Sequence, residues 1–218
     1  IEDGEGNEVD VTNLTPYKAL SPQSLDVTSS KPTAAQLEEA SDATSSLRAR
    51  TGRFSNMDRL ADYSLDEARN YTGYNPQALL GKFGQGPEGV KAQQFHQLAA
   101  AEEIGGLLPA VKEAKLTPVS DTDVKLVREQ FVNAQSQPET IAQFYAYGGR
   151  QFMDNTIKHN IAQGNITPEK GAQLQQEYDT KAATLALKWG YPPKDLITAG
   201  MDPELVMFLA EAKKRGDL

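Results

Sequence analysis

From residue 33 onward, apolar residues return at three- and four-residue steps along most of the chain. Ala34, Leu37, Ala40, Thr44 and Leu47 keep this spacing and predict a first helix over 33–52. Pro32-Thr33 followed by Gln36 has the form of a capping-box start. Arg48, Arg50 and Arg53 gather at the other end, where cations complement the helix dipole. Between Phe54 and Phe83 the signals shorten. Ser64 with Glu67 forms a second cap, while Gly73, Pro76, Gly81 and Gly84 punctuate a run of short helices.

Pro87 sits well in a helical first turn, and Val90, Phe95, Leu98, Ala99 and Ile104 share a stripe that Gly105-Gly106 is expected to break. Leu107 to Ala114 adds a further turn or two before Thr117-Pro118. Asp121 and Asp123 open another helix, with Val124, Val127 and Phe131 on its apolar side. Pro138-Glu139 starts the longest periodic stretch, through Ile141, Phe144, Tyr145, Phe152, Ile157 and Ile161, and Gly164-Asn165 ends it. Gly148-Gly149 lies in its middle at a cost of about 2 kcal/mol relative to two alanines. The pair marks either a close helix crossing or a kink, and close packing is the expectation. Thr167-Pro168-Glu169 begins the next helix, through Leu174, Tyr178, Leu185 and Trp189. A short helix follows Tyr191-Pro192-Pro193, and Asp202-Pro203-Glu204 caps the last, which carries Leu205, Val206, Phe208 and Leu209.

No stretch alternates as a strand would. The expected fold is all-α, an irregular multi-helix bundle in three parts: an extended acidic N-terminal arm over 1–32, a helical domain over 33–190 and a C-terminal helical arm over 191–218. The arm follows from its composition. Pro16, Pro22 and Pro32 interrupt it, and Val9, Val11, Leu14, Tyr17, Leu20 and Leu25 keep no helical period.

Charge sharpens this division. Residues 1–42 hold nine acids against Lys18 and Lys31, which is seven of the net charge of −8. The near-neutral remainder offers no basic footprint for wrapping nucleic acid. A mean hydropathy of −0.54 with 39% hydrophobic residues describes a surface-rich molecule. No eighteen-residue apolar run and no charged-then-apolar leader are visible. Ile1 in place of an initiator Met leaves room for an upstream portion of a longer chain.

With no cysteine, thiolate catalysis and Cys-based zinc sites are excluded. His96 and His159 lack a carboxylate or second histidine at ligand spacing and read as half-exposed surface residues. Gly84-Gln-Gly86-Pro-Glu-Gly89 matches G-x-G-x-x-G, but a helical segment precedes it and Pro87 removes a donor, so it reads as an inter-helix loop. Asp121-Thr-Asp123 is followed by Lys125 where a calcium loop needs its third ligand, so it reads as a helix cap. Glu102 and Glu103 point about 100° apart on a helix and cannot share a site. Arg48, Arg50, Arg53 and Arg59, near Phe54 and Tyr63, could touch phosphate, as could Lys213, Lys214 and Arg215; compensation of helix dipoles is the plainer reading. No catalytic, cofactor-binding or metal-ligating residue is therefore expected, and the chain reads as a non-enzyme.

One arrangement resembles a known family. The capped first helix with its arginine-rich end, Pro118-Val-Ser-Asp121-Thr-Asp123, then Gln137-Pro138-Glu139-Thr140 and Gly164-Asn-Ile-Thr-Pro168, is similar to a helical module in virion proteins of tailed bacteriophages. The resemblance covers about residues 33–190. It implies an internal or ejected virion protein attached to the portal or tail machinery of a short-tailed phage, ordered within a symmetric assembly. Its partners would be other virion proteins (portal, tail or internal core), with at most a weak DNA contact. Its location would be the virion, or otherwise the cytoplasm. Two other readings stand beside it: a scaffold or adaptor that binds partners through its N-terminal arm, and a non-catalytic segment of a larger virion enzyme.

Overall fold

The computed structural model describes residues 32–72, 86–113 and 136–218, with the helical backbone alone over 102–113. Expectations placed on 1–31, 73–85 and 114–135, the acidic arm and the Asp121–Asp123 helix among them, lie outside the described residues. So does the expectation for Glu102 and Glu103. The described residues fold into nine helices and no strand, an all-α multi-helix arrangement.

The chain's own caps set most of the boundaries. Helix α1 spans Ala34–Thr51, α2 Phe54–Ala61 and α3 Leu65–Tyr71. At the start of α3 the Ser64 hydroxyl accepts from the Glu67 N–H while the Glu67 carboxylate accepts from the Ser64 N–H, a complete capping box. The Ser64 N–H and the Ser64 hydroxyl both donate to the Glu67 carboxylate and hold that carboxyl below its ordinary pKa. Helix α4 runs from Gly86 to Glu113. The expected break at Gly105-Gly106 is absent. Glycine weakens a helix without barring it, and the flanking Ala99 to Glu103 and Leu107-Leu108 are strong helix formers; the helix continues through Pro109 as well.

Helices α5 (Pro138–Ala146) and α6 (Gly148–Ala162) replace the single long helix predicted here. Tyr147, at φ −114° and ψ −74°, interrupts the path. Helix α7 (Pro168–Lys188) starts where Thr167 accepts from the Lys170 N–H. Helices α8 (Pro193–Thr198) and α9 (Pro203–Arg215) complete the chain, with Asp202 capping α9 through the Glu204 N–H.

Helix α7 is the axis of the core. Helices α2, α5, α6 and α9 all pack on it. Ala182, Ala183 and Ala186 present little bulk and are fully buried, which lets neighbouring backbones come close, while Leu174, Tyr178, Leu185 and Leu187 fill the remaining space. Gly171 belongs to the same design: a Cβ there would lie 2.8 Å from both Ile157 Cγ2 and Ile161 Cδ1. Residues 191–218 contribute Leu196, Met201, Val206 and Leu209 to this one core.

An aromatic cluster fastens the α2–α3 connection to α4 and α7. The Phe95 ring stands edge-on to Tyr63 at 5.3 Å between centroids and 6.3 Å from Trp189, and the Trp189 indole N–H donates to the Tyr63 carbonyl at 3.0 Å.

Polar side chains fasten α1. The apolar stripe predicted for it is displaced: Leu37 is 56% exposed, and the buried face is Ala43, Leu47 and Arg50. Fully buried Asn160 donates to the Ala43 and Thr156 carbonyls, each at 2.9 Å, and accepts from Asn165 at 3.1 Å; Asn165 also donates to the Ala40 carbonyl. Truncating Asn160 would leave Asn165 without this acceptor and open a gap among buried polar atoms. Asn160→Ala is expected to lose about 2 kcal/mol of unfolding free energy in a urea titration followed by circular dichroism. A loss below about 0.5 kcal/mol would show that the asparagine pair does not hold α1 in place.

Candidate functional site

The arginines gathered at the α1–α2 junction part company in the structure. Arg48 and Arg59 are exposed, Arg53 is half-buried and Arg50 is buried at 8% exposure. Arg50 lies at the next step of the buried Ala43 and Leu47 face, so the helix itself carries its guanidinium inward. There its Cζ stands 5.3 Å from the centroid of the Phe152 ring, a cation–π contact in a largely desolvated setting.

Arg50 and Arg53 line a partly open cavity of about 30 Å³ together with Phe54, Met57, Phe144, Tyr145, Gly149, Phe152, Met153 and Tyr178. That volume has room for about two water molecules. Three parts of the fold build it: the α1–α2 junction supplies the arginines, α5 and α6 the Phe144, Tyr145 and Phe152 walls, and α7 the Tyr178 ring. The Tyr178 hydroxyl donates to the Tyr145 carbonyl at 2.9 Å and the ring meets Phe54 edge-on at 5.8 Å, which fixes the cavity wall. Gly149 leaves space where any side chain would intrude.

The α1–α2 junction brings charge to this cavity. Two guanidinium groups reach it, and no carboxylate stands among its described lining residues. Helix α2 also begins at its wall, with Arg53 in the N-cap position and no side chain capping the helix. Cations on an aromatic wall can hold an anion. The described lining includes no carboxylate, histidine or cysteine that could transfer a proton near neutral pH.

The other residues singled out in the sequence do not converge here. His96 is half-buried, and its Nε2 donates to the Tyr71 carbonyl at 2.6 Å. His159 is exposed on α6. Gly86, with φ +73°, opens α4, and Gly89 lies within it. Lys213, Lys214 and Arg215 form the last turn of α9, and the Lys213 ammonium donates to the Leu187 carbonyl. Burial, with the Glu88 carboxylate accepting its proton at 2.7 Å, raises the Tyr71 phenol above its usual range. The Arg69 guanidinium holds the Glu139 carboxyl low. Both groups are parts of packing contacts.

Two large apolar side chains stand out on the surface of α9: Met207 is 49% and Phe208 65% exposed, beside the basic last turn. Among the described residues no cluster of three or more His, Asp or Glu is placed to hold a metal ion, and no helix is long and apolar enough to cross a membrane. No family model, curated protein or solved structure matches the chain.

Proposed function

We propose that this protein is a structural component of a bacteriophage virion, internal or attached to the portal or tail, and that it works by docking on other virion proteins rather than by catalysis. The exposed Met207–Phe208 pair on α9 carries this reading. A phenylalanine that leaves two thirds of its surface in water, next to a methionine and a cationic helix end, has the composition of an interface centre with a polar rim. The resemblance of the Pro118–Pro168 motifs to virion helical modules supplies the setting. The excess of acids in the sequence of residues 1–42 is opposite in charge to the α9 terminus and gives partners of either sign something to recognise.

The test is quantitative mass spectrometry of purified particles from the source, before and after triggered genome release. Peptides across the chain should be present in intact particles. Their loss on release would identify an ejected protein, and their retention a fixed part. Complete absence from particles would overturn the proposal and favour an adaptor that acts outside them.

A further inference from the structure

We infer that the outward face of α9 docks a second copy of this chain, the two α9 helices lying antiparallel across a twofold axis; this rests on the reading above of Met207 and Phe208 as an interface centre and names the partner. The exposed positions of α9 fall at three- and four-residue steps: Glu204, then Met207 and Phe208, then Glu211, then Lys214 and Arg215. That spacing sets them on one side of the helix, while Val206, Leu209, Ala210 and Ala212 turn into the core. The outward stripe is therefore acidic in its first turn, apolar in its middle and basic in its last turn.

Such a stripe complements itself when reversed. Glu204 and Arg215 lie about 16 Å apart along the axis at about 1.5 Å per residue, too far to pair within one helix. A second α9 running the opposite way, centred between Leu209 and Ala210, brings each Glu204 to the other copy's Arg215. The two Phe208 rings then sit about 4.5 Å apart along the axis, within contact of each other, and each favourable pair is made twice. Opposed helix dipoles favour the same direction. A parallel pairing would set Glu204 against Glu204 and Arg215 against Arg215. Arg215 already holds Asp217 at 2.8 Å, but that pair is more than half exposed, and a guanidinium with five donors serves two carboxylates. A partner surface of one sign would meet repulsion at one end of the stripe, which is why a second copy fits better than an acidic or a basic stranger.

Sedimentation velocity of the full chain tests this. The 23.8 kDa chain should pass to a species of twice that mass with a Kd on the order of 100 μM, since one pair of short helices buries little area. Phe208→Ala should weaken the dimer by roughly tenfold. Glu204→Lys and Arg215→Glu should each weaken it through like charges at both ends of the contact. Mixed in equal amounts, these two variants should recover the parent's Kd, because each mixed dimer regains both opposite-charge pairs. All three side chains are exposed, and an unchanged circular dichroism melting midpoint in dilute solution certifies the fold of each variant.

A chain that stays monomeric to about 1 mM would overturn the inference and give the face to a partner of another sequence. A dimer indifferent to Phe208→Ala, or single charge variants whose mixture fails to associate as the parent does, would overturn it too. Each of these could occur with the protein firmly in particles, and a dimer could form with the protein absent from them, so the two proposals fail separately.

Discussion

Asp179→Ala is expected to lower the unfolding free energy by about 3 kcal/mol, the largest loss foreseen for a single polar truncation here. Asp179, on α7, is 6% exposed and accepts both arms of the Arg150 guanidinium, Nε at 3.0 Å and Nη2 at 3.0 Å. Gln175 donates to the same carboxylate at 2.8 Å, and Arg150 also reaches the Ala199 carbonyl at 3.4 Å. The ion pair therefore ties α6, α7 and the turn after α8 together. Its net contribution relative to a hydrophobic pair is small, because both charges were taken out of water to form it. Removing one partner is a different matter. The guanidinium stays in place with its counter-charge gone, and only partial access to solvent tempers the penalty.

Urea unfolding followed by circular dichroism measures this directly. Asp179→Asn, which keeps the shape and part of the hydrogen bonding, should lose less than the alanine variant. A double change of Arg150 and Asp179 to leucine should recover much of the loss. Should Asp179→Ala fall within about 0.5 kcal/mol of the parent, the pair would be a surface ornament and this account of the α6–α7 contact would be wrong.

Gly149→Ala comes next, with an expected loss of about 2 kcal/mol from overpacking. A Cβ at this position would overlap the Tyr178 hydroxyl and come within 3.3 Å of the Phe144 carbonyl oxygen. Its neighbour is the internal control. A Cβ at Gly148 would meet only the Phe144 ring, at 3.5 Å, so Gly148→Ala should be neutral or gain up to about 1 kcal/mol from helix propensity. Tyr178→Phe removes the hydroxyl in the way of the new methyl, at the expense of its bond to the Tyr145 carbonyl. Gly149→Ala should accordingly cost less in the Tyr178→Phe background, a coupling that a double-mutant cycle reads. Equal losses at positions 148 and 149 would mean that close packing does not explain the pair.

The glycine pair also shows where a sequence speaks and where it falls silent. Its cost in a helix is a local property, and it rightly drew attention to Gly148-Gly149. Both offered explanations apply: Tyr147 breaks the helical path, and Tyr178 presses on Gly149. Caps were legible for the same reason, since Ser64 with Glu67, Thr167 with Pro168, and Asp202 with Pro203 act within a single turn. The all-α class followed from periodicity. The inward turn of Arg50 did not, although Ala43, Leu47 and Arg50 share a helical face. An arginine at a helix end satisfies the dipole equally well from the surface, and only the Phe152 wall, a hundred residues away, decides otherwise. The Asn160–Asn165 link is silent for a related reason: nothing local distinguishes an asparagine that reaches another helix from one that faces water.

That link, the Trp189 bond to Tyr63 and the Lys181–Asp58 ion pair join positions 117, 126 and 123 residues apart. Helical proteins usually fold fast because their contacts are local. Here α3 meets α4 and α5, but α2 completes its packing only against α7, near the far end of the chain. On the ribosome, α2 must wait for α7 to emerge before its packing is complete, some ten seconds at about 10 residues per second. During that interval Phe54, Met57 and Leu60 have only part of their core to enter. The nascent chain is therefore most exposed to wrong partners before its last quarter is made, and an early stop ahead of residue 168 would leave those side chains without the cover that α7 supplies.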